Sequence, residues 1–504
     1  MLNFSILQQN SLVEYKPKIY NPILEQLNLS SKEIQIFGIL KEIIKENNLS
    51  DIELFVVGGW VRDHLINIPS HDLDIIVKGI ETKSFVKLIN EKVSKDKYIQ
   101  SSHKIKRNGD KEVLLTKTTI FGVEIDFIEL KGNIAEDAKK RDFTFNALYY
   151  NILKNKIEDV LNMGINDLKK GFIRTCINPN LLFNYDSLTI LRMLRFAAKY
   201  QFIIDDQCLA DIEKNTRIYQ DTLLNKIPKE RINKEMNLIF CSNNPSFAIY
   251  SLYKFGLLES VLHLNLHKSN SNWLNEKDIL NCVNIFIIGK ICFEKYNKFF
   301  KEEKYDDKYR YSYYSILLTI YMRNFTDNHN NNLTKIILAK VLKNESNALK
   351  IVNYFDKFNN FIAKNEYNRL SVGILLRKIF VINISKIILI SVSNQYVMNI
   401  NSSNVLDKIE DNSLDIIFHK YFEFYKYIQK ENLQKINELK SIVNGKEIKN
   451  IFPGLNDKYI GEIIEYLIYK QIEMKNNLSK NDALNAIKLK MKELKIELDT
   501  DNKK

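Results

Sequence analysis

The 504-residue chain is 45% hydrophobic, with a net charge of +13 and a pI of about 9.1. Its length exceeds a single ordinary core and calls for several domains, and its positive balance suits a polyanionic partner. No apolar run reaches the roughly 18 residues of a membrane-spanning helix. The five cysteines form no CxxC pair and have no His at metal spacing, so free thiols in a reducing compartment are expected and a zinc site is not.

The scarcity of Pro (7) and Gly (15) predicts long helices with few sharp turns. The opening stretch MLNFSILQQNSLVEYKPKIYNP has neither the charged n-region of a signal peptide nor an Arg-rich amphipathic pattern, and residues 1–30 read as an extension. SSKEIQIFGILKEIIKEN is a capped amphipathic helix. IELFVV, DLDIIV, KEVLLTKTTI and VEIDFIEL read as strands from their β-branched content and alternation, so residues 31–153 form an α/β domain. Beyond Asn151 the strand signal fades. LLFNYDSLTILRMLRFAAKYQF and PKERINKEMNLIF have helical spacing, and residues 154–268 are expected to form a helical domain. Residues 269–504 read as almost wholly helical, with a late turn at Pro453-Gly454, which makes the whole an elongated, mostly helical chain. The lone histidines His64, His263, His267 and His419 and the tryptophans Trp60 and Trp273 read as structural.

The chemistry concentrates in GGWVRDHLINIPSHDLDIIV, residues 58–77. Side chains alternate across a strand, so Asp72 and Asp74 share a face. Two such carboxylates repel unless a cation separates them. Mg²⁺ suits that place, being a hard cation held by few carboxylates and shared with substrate phosphates. The blander reading is a solvated edge strand. An EF-hand loop needs Gly where Val77 stands, and His71-Asp72 has no distant His and Asp to complete an HD hydrolase. Gly58-Gly59 follows a strand and opens a helix, the arrangement of a phosphate cradle, although G-x-G-x-x-G is absent.

GGWVRDHLINIPSHDLDIIV resembles the signature of the class II tRNA nucleotidyltransferases, the CCA-adding enzymes. They belong to the polymerase β-like superfamily together with bacterial poly(A) polymerases. AEDAKKRDFTFNALYYN is similar to the family's RRDxTxNA element, and GINDLKKGFIRT to its GxxDLxxGxxRT element. YDSLTILRMLRFAAKYQF resembles its EDxxRxxRxxRF helix, and IPKERINKEM its SxERIxxE helix. The resemblance spans roughly residues 52 to 240, and IFPGLNDKYIGEIIEYLIYKQ looks like the tail of eukaryotic members. It implies a nucleotidyltransferase head (31–153), a base-reading neck (154–268) and a tRNA-binding body (269–504). It also implies template-independent addition of the tRNA 3′ CCA from CTP and ATP with Mg²⁺, in the cytoplasm and also in the nucleus or mitochondria. Asp72, Asp74 and Asp126 would be the catalytic metal ligands, with Glu124 on the same face in reserve. Gly58, Gly59 and Arg62 would hold the triphosphate and Asp63 would orient Arg62. Arg141 would reach phosphate with Asp142 fixing it. Asp186, Thr189, Arg192 and Arg195 would occupy the base-reading helix.

Two departures bear on base choice. The acidic first position of EDxxR is Tyr185 and its Arg is Thr189, which has no guanidinium fork. Asp126 and Arg141 are separated by a short segment, where full CCA-adding members of this type have a longer mobile loop. An enzyme adding only CC or only A is therefore an alternative expectation, followed by a poly(A) polymerase and a non-catalytic tRNA-binding protein. FEKYNKFFKEEKYDDKYRYSYYS interleaves basic and aromatic residues, read either as an RNA-gripping surface or as solvated helix faces.

Overall fold

A computed structural model describes residues 18–22, 27–70, 72–93, 99–103, 106–108, 111–113, 115–262, 276–300, 306–322, 346–379, 384–399 and 412–494. His71, His263, His267 and Trp273 lie outside the described residues. The chain divides into two compact units, 1–265 and 266–504.

The first unit begins with helix α1 (Ser31–Glu46), whose N-cap Ser30 and third-position Glu33 form a reciprocal capping box. Strand β1 (Glu53–Val57) leads into the short helix α2 (Gly59–Leu65), and β2 (Leu73–Lys78) returns antiparallel to β1. After helix α3 (Thr82–Val93) come β3 (Ile99–His103), β4 (Leu115–Ile120) and β5 (Val123–Glu129). Helix α4 (Ile134–Lys139), β6 (Tyr149–Asn151) and β7 (Lys156–Glu158) complete the sheet, in the order β3-β4-β5-β2-β1-β6-β7. The sheet therefore continues past Leu153 to Glu158. Its one parallel pair is β2 with β5.

β1 lies inside the sheet, which is why it reads as an unbroken apolar run rather than an alternating one. Leu54, Phe55, Val56 and Val57 are all fully buried, each contributing about 1.5–3 kcal/mol over an exposed position. The helical part of this unit comprises α5 (Gly164–Lys170), α6 (Pro179–Tyr185), α7 (Leu188–Tyr200), α8 (Asp206–Asp221), α9 (Lys229–Phe240) and α10 (Pro245–Lys254). The stretch expected as one helix across Tyr185 is two. Asp186 is extended (φ −147°, ψ 94°) and breaks the helix, and its carboxylate then caps the start of α7 by accepting from the Leu188 amide. Part of the N-terminal extension is docked: the Tyr20 hydroxyl donates to the Tyr200 carbonyl and the Lys18 amide to that of Gln201.

Among its described residues the second unit contains helices joined by turns and no strand. Most aromatics of the basic–aromatic stretch face its interior. Phe293, Tyr296, Phe300, Tyr309, Tyr313 and Tyr314 are buried, and Tyr296 stacks on Phe418 at 3.9 Å. Phe299 is the exposed exception among the described side chains, whose periodicity reflects core packing more than a stacking surface for bases. Helices Gly445–Ile451, Ile460–Glu473 and Lys480–Glu493 close around a separate apolar cluster that includes Val443, Phe452, Leu467 and Ile487. None of the five cysteines, all among the described residues, is in a disulfide.

Glu33 joins α1 to α2. Its carboxylate accepts from the Trp60 indole at 2.7 Å and the Ser30 amide at 2.7 Å, and it pairs with His64 at 3.2 Å, whose ring stacks on Trp60. Burial pushes the Glu33 carboxyl up, but the hydrogen bonds from His64, Ser30 and Trp60 outweigh it and bring it down to about 2. A depressed carboxyl stabilises the fold above its unfolded pKa of about 4.5, and that contribution fades as pH falls toward 2. Urea unfolding at pH 5 and pH 3 should show the wild type losing about 2 kcal/mol more than Glu33→Gln over that interval. Equal losses would remove Glu33 from this role.

Candidate active site

The turn after β1 fixes the site. Gly58 has φ +74° and ψ −134°, a backbone conformation open to glycine alone. A Cβ there would stand 3.8 Å from Arg141 Nη1 and 4.0 Å from Asp74 Oδ2. The glycine turn, a strand carboxylate and a guanidinium therefore share one small space.

Strand register assembles the acids. Asp74 pairs with Val57 on one side and with Asp126 on the parallel strand β5 on the other. Lys117 stands opposite Asp126 from β4, and its Nζ donates to both carboxylate oxygens at 2.6 and 2.7 Å. Burial raises the Asp74 carboxyl, the charges of Asp126 and Asp72 raise it further, and Arg141 and Lys117 oppose them. Asp72 precedes the strand, is exposed, and lines a neighbouring hollow of about 560 Å³ that Glu124 also lines.

This arrangement suits a divalent cation. Asp74 sits among anions that keep its own ionisation unfavourable, and the donors are hard oxygens. Among the described residues no three acid, His or Cys side chains form a ready cage, so substrate phosphates would complete the coordination. A cation on Asp126 requires Lys117 to move away.

The arginines depart from expectation in two places. Arg62 is buried with every nitrogen engaged: Nε on Asp63 at 2.8 Å, Nη1 on Asn146 at 2.6 Å and Nη2 on the Tyr200 hydroxyl at 2.8 Å. The rings of Phe196 and Tyr200 lie about 5 Å from its guanidinium carbon, at 5.1 and 4.9 Å. Asp63 orients Arg62 as expected, but Arg62 braces α2 against α7 beneath Gly59 and has little left to offer a triphosphate. Arg141 is fixed by Asp137, not Asp142. Its Nε and Nη2 donate to Asp137 Oδ2 at 3.0 and 2.9 Å, and the Tyr149 hydroxyl donates to the same oxygen at 2.7 Å. Asp137 lies on α4, and the chain turns after the helix, with the Arg141 amide donating to the Ala138 carbonyl, so that the Arg141 side chain comes back onto Asp137.

Asp142 turns toward α7 instead. It accepts from Arg192 Nε and Nη2 at 3.0 and 2.5 Å and from Asn146 at 2.9 Å. Burial raises its carboxyl, but Arg192, Asn146 and the Phe143 amide more than offset that and leave it lowered. Glu235 from α9 holds Arg195 at 2.7 Å and lies 3.7 Å from Arg192. Thr189 is buried, Tyr185 is 86% exposed, and Asp186 Oδ2 accepts from Arg231 at 2.6 Å.

Asp74, the arginines and the base-reading positions line one cavity of about 650 Å³, the size of a nucleotide-class site, with Asp126 and Glu235 outside its lining. Gly58, Gly59, Arg62, Asp74, Arg141 and Asp142 line it from the sheet, its glycine turn and the segment after α4, and Asp186, Thr189, Arg192, Arg195 and Arg231 line it from the helical part. Asp137, Asn146, Tyr200 and Arg231 are contributors that motif reading missed, although all four fall inside the quoted stretches.

Residues 54–174 match the family model for the poly A polymerase head domain, and residues 201–265 match that for a probable RNA- and SrmB-binding site of polymerase A. The mitochondrial CCA tRNA nucleotidyltransferase of Saccharomyces cerevisiae is 30% identical over 471 residues, covering 83% of this chain and 84% of that protein. The chain belongs to the CCA tRNA nucleotidyltransferase family. The Candida glabrata mitochondrial member is 28% identical to this transferase over 90% of its chain and 94% of that protein. A Thermotoga maritima CCA-adding enzyme, solved in complex with tRNA, shares its fold at a TM-score of 0.54 and 19% identity, covering 92% of this chain and 96% of that one. With family membership comes a divalent-metal requirement.

Asp137 is half-buried and positions Arg141 without facing the reacting atoms. Asp137→Asn should keep the fold and raise the KM for nucleotide about tenfold by loosening a charge-assisted contact in which Arg141 Nε and Nη2 share one carboxylate oxygen. An unchanged KM would show that Arg141 holds its place unaided.

Proposed function

We propose that this transferase builds or repairs the 3′-terminal CCA of tRNA from CTP and ATP, with Mg²⁺ held by Asp72, Asp74 and Asp126. The observation that carries the reading is the register pairing of Asp74 with Asp126 beside Gly58 and Arg141. When bound, the metal neutralises charge on the attacking and leaving oxygens. The glycine turn presents backbone N–H groups at the start of α2 to the triphosphate. Arg141, braced by Asp137 and Tyr149, adds a fixed positive charge at the same end. The terminal tRNA hydroxyl attacks the α-phosphorus, its oxygen forms the new phosphodiester, and the bond to the β-phosphate oxygen breaks to release pyrophosphate. Positioning and charge do this work, and no protein nucleophile is needed. The basic second unit supplies sequence-independent attraction for the tRNA backbone. The names of both yeast relatives support service in mitochondria.

One observation favours a second reading, incomplete ends. β5 stops at Glu129 and α4 starts at Ile134, so only residues 130–133 join them, and Thr189 is buried. A linker that short cannot sweep across the cavity to re-aim the base site between C and A.

The test uses purified full-length protein, tRNA lacking CCA, and each nucleoside triphosphate singly and mixed, with products resolved to one nucleotide. The wild type should extend the tRNA, with ends in CC accumulating ahead of the final A. Lengthening the chain after Lys131 should speed that last step. Asp74→Ala should abolish extension while tRNA binding persists. Comparable turnover by Asp74→Ala at saturating Mg²⁺ would overturn the catalytic reading.

A further inference from the structure

We infer that Arg231 on α9, paired with Asp186, reads the base edge of the incoming nucleotide and takes the place of the guanidinium absent at Thr189. The inference rests on the nucleotidyl-transfer reading above.

The cavity orients its ligand. Gly58, Gly59 and Arg141 on its sheet side suit phosphates, which leaves the helix side, where Asp186 and Arg231 stand, for the base of a nucleoside triphosphate. The other arginines there are committed. Arg192 spends Nε and Nη2 on Asp142 and turns Nη1 toward Glu235. Arg195 donates Nε to Glu235, has its guanidinium 4.2 Å from the Phe196 ring, and its side chain is 13% exposed. Arg231 is different: its side chain is 49% exposed, and only Nη2 is engaged among the described residues. Its Nε and Nη1 remain for a ligand.

The pair has the polarity that the two amino bases need. Asp186 is held from two sides, by the Leu188 amide at 3.2 Å on Oδ1 and by Arg231 at 2.6 Å on Oδ2. A carboxylate beside a guanidinium offers an acceptor next to donors. Cytosine presents an amino group beside the N3 acceptor, and adenine an amino group beside N1, so both match. Uracil and guanine present a carbonyl where the amino group stands, and the carboxylate repels it. One pair thus accepts C and A and rejects U and G, while α9, a separate helix, supplies the fork that α7 lacks.

The assignment is tested by calorimetric binding of CTP, ATP, UTP and GTP to full-length wild type, Arg231→Lys and Arg231→Gln, with melting temperatures measured in parallel. Lys keeps the charge and loses the fork. The wild type should prefer CTP to UTP, and both variants should lose about 10- to 100-fold of that preference, as expected for a bidentate contact. Melting temperatures should scarcely move, because the ion pair is partly exposed. Unchanged selectivity in both variants, no selectivity in the wild type, or an equal loss for all four nucleotides with a fallen melting temperature would overturn the assignment. A wild type that binds CTP selectively, in an Arg231-dependent way, yet transfers none to tRNA would overturn the transfer reading and leave this one standing. A wild type that transfers CMP with selectivity indifferent to Arg231 would overturn this one alone.

Discussion

The site depends on one unfavourable juxtaposition: Asp74 and Asp126 face each other across the sheet's one parallel strand pair. Placed in neighbouring strands, the two like charges raise each other's energy, and burial of Asp74 adds to the cost. Lys117 answers part of that charge from the third strand, and Arg141 answers part from the far side of the glycine turn. The rest is unmet by protein. A sheet that holds its acids this rigidly offers a cation a binding place whose reorganisation cost was met during folding.

Around that centre, carboxylates and guanidiniums alternate. Asp63 and Asn146 hold Arg62, Asp137 holds Arg141, Asp142 holds Arg192, and Glu235 holds Arg195. Each pair crosses between elements distant in sequence or fixes a side chain at the cavity wall. The sheet and the α7–α9 helices are thereby tied by directional, partly desolvated bonds rather than by apolar contact alone. Arg62 illustrates the consequence. A residue at the cavity floor with all its nitrogens engaged serves rigidity, and rigidity at the floor keeps Gly58 and Asp74 in register.

Much of this was legible in the sequence. Alternation and β-branched content marked β1, β2 and β5, and the spacing of Asp72 and Asp74 raised the expectation of a cation, with Asp74 found on β2 and Asp72 just before it. The failures have physical causes. The break at Asp186 was hidden because the apolar positions of α6 and α7 run on in helical phase, and periodicity does not register a single extended residue. The partner of Arg141 was misassigned because adjacency in sequence suggested Asp142, while the turn that ends α4 brings Arg141 back onto Asp137. The interior role of Tyr296, Tyr309 and Tyr313 was missed because helices packed on several sides bury aromatic residues that in sequence look dispersed among lysines. Arg231 stood in a recognised motif, but its meeting with Asp186 depends on how α9 packs against α7.

The central claim is that Asp74 and Asp126 jointly hold a cation that the nucleotide completes. Electron paramagnetic resonance of Mn²⁺ titrated into full-length protein, with and without CTP, tests it directly. The account predicts that CTP tightens Mn²⁺ binding in the wild type and that Asp126→Asn loses most of that gain while retaining its fold. Mn²⁺ binding by Asp126→Asn as tight and as CTP-dependent as in the wild type would contradict it.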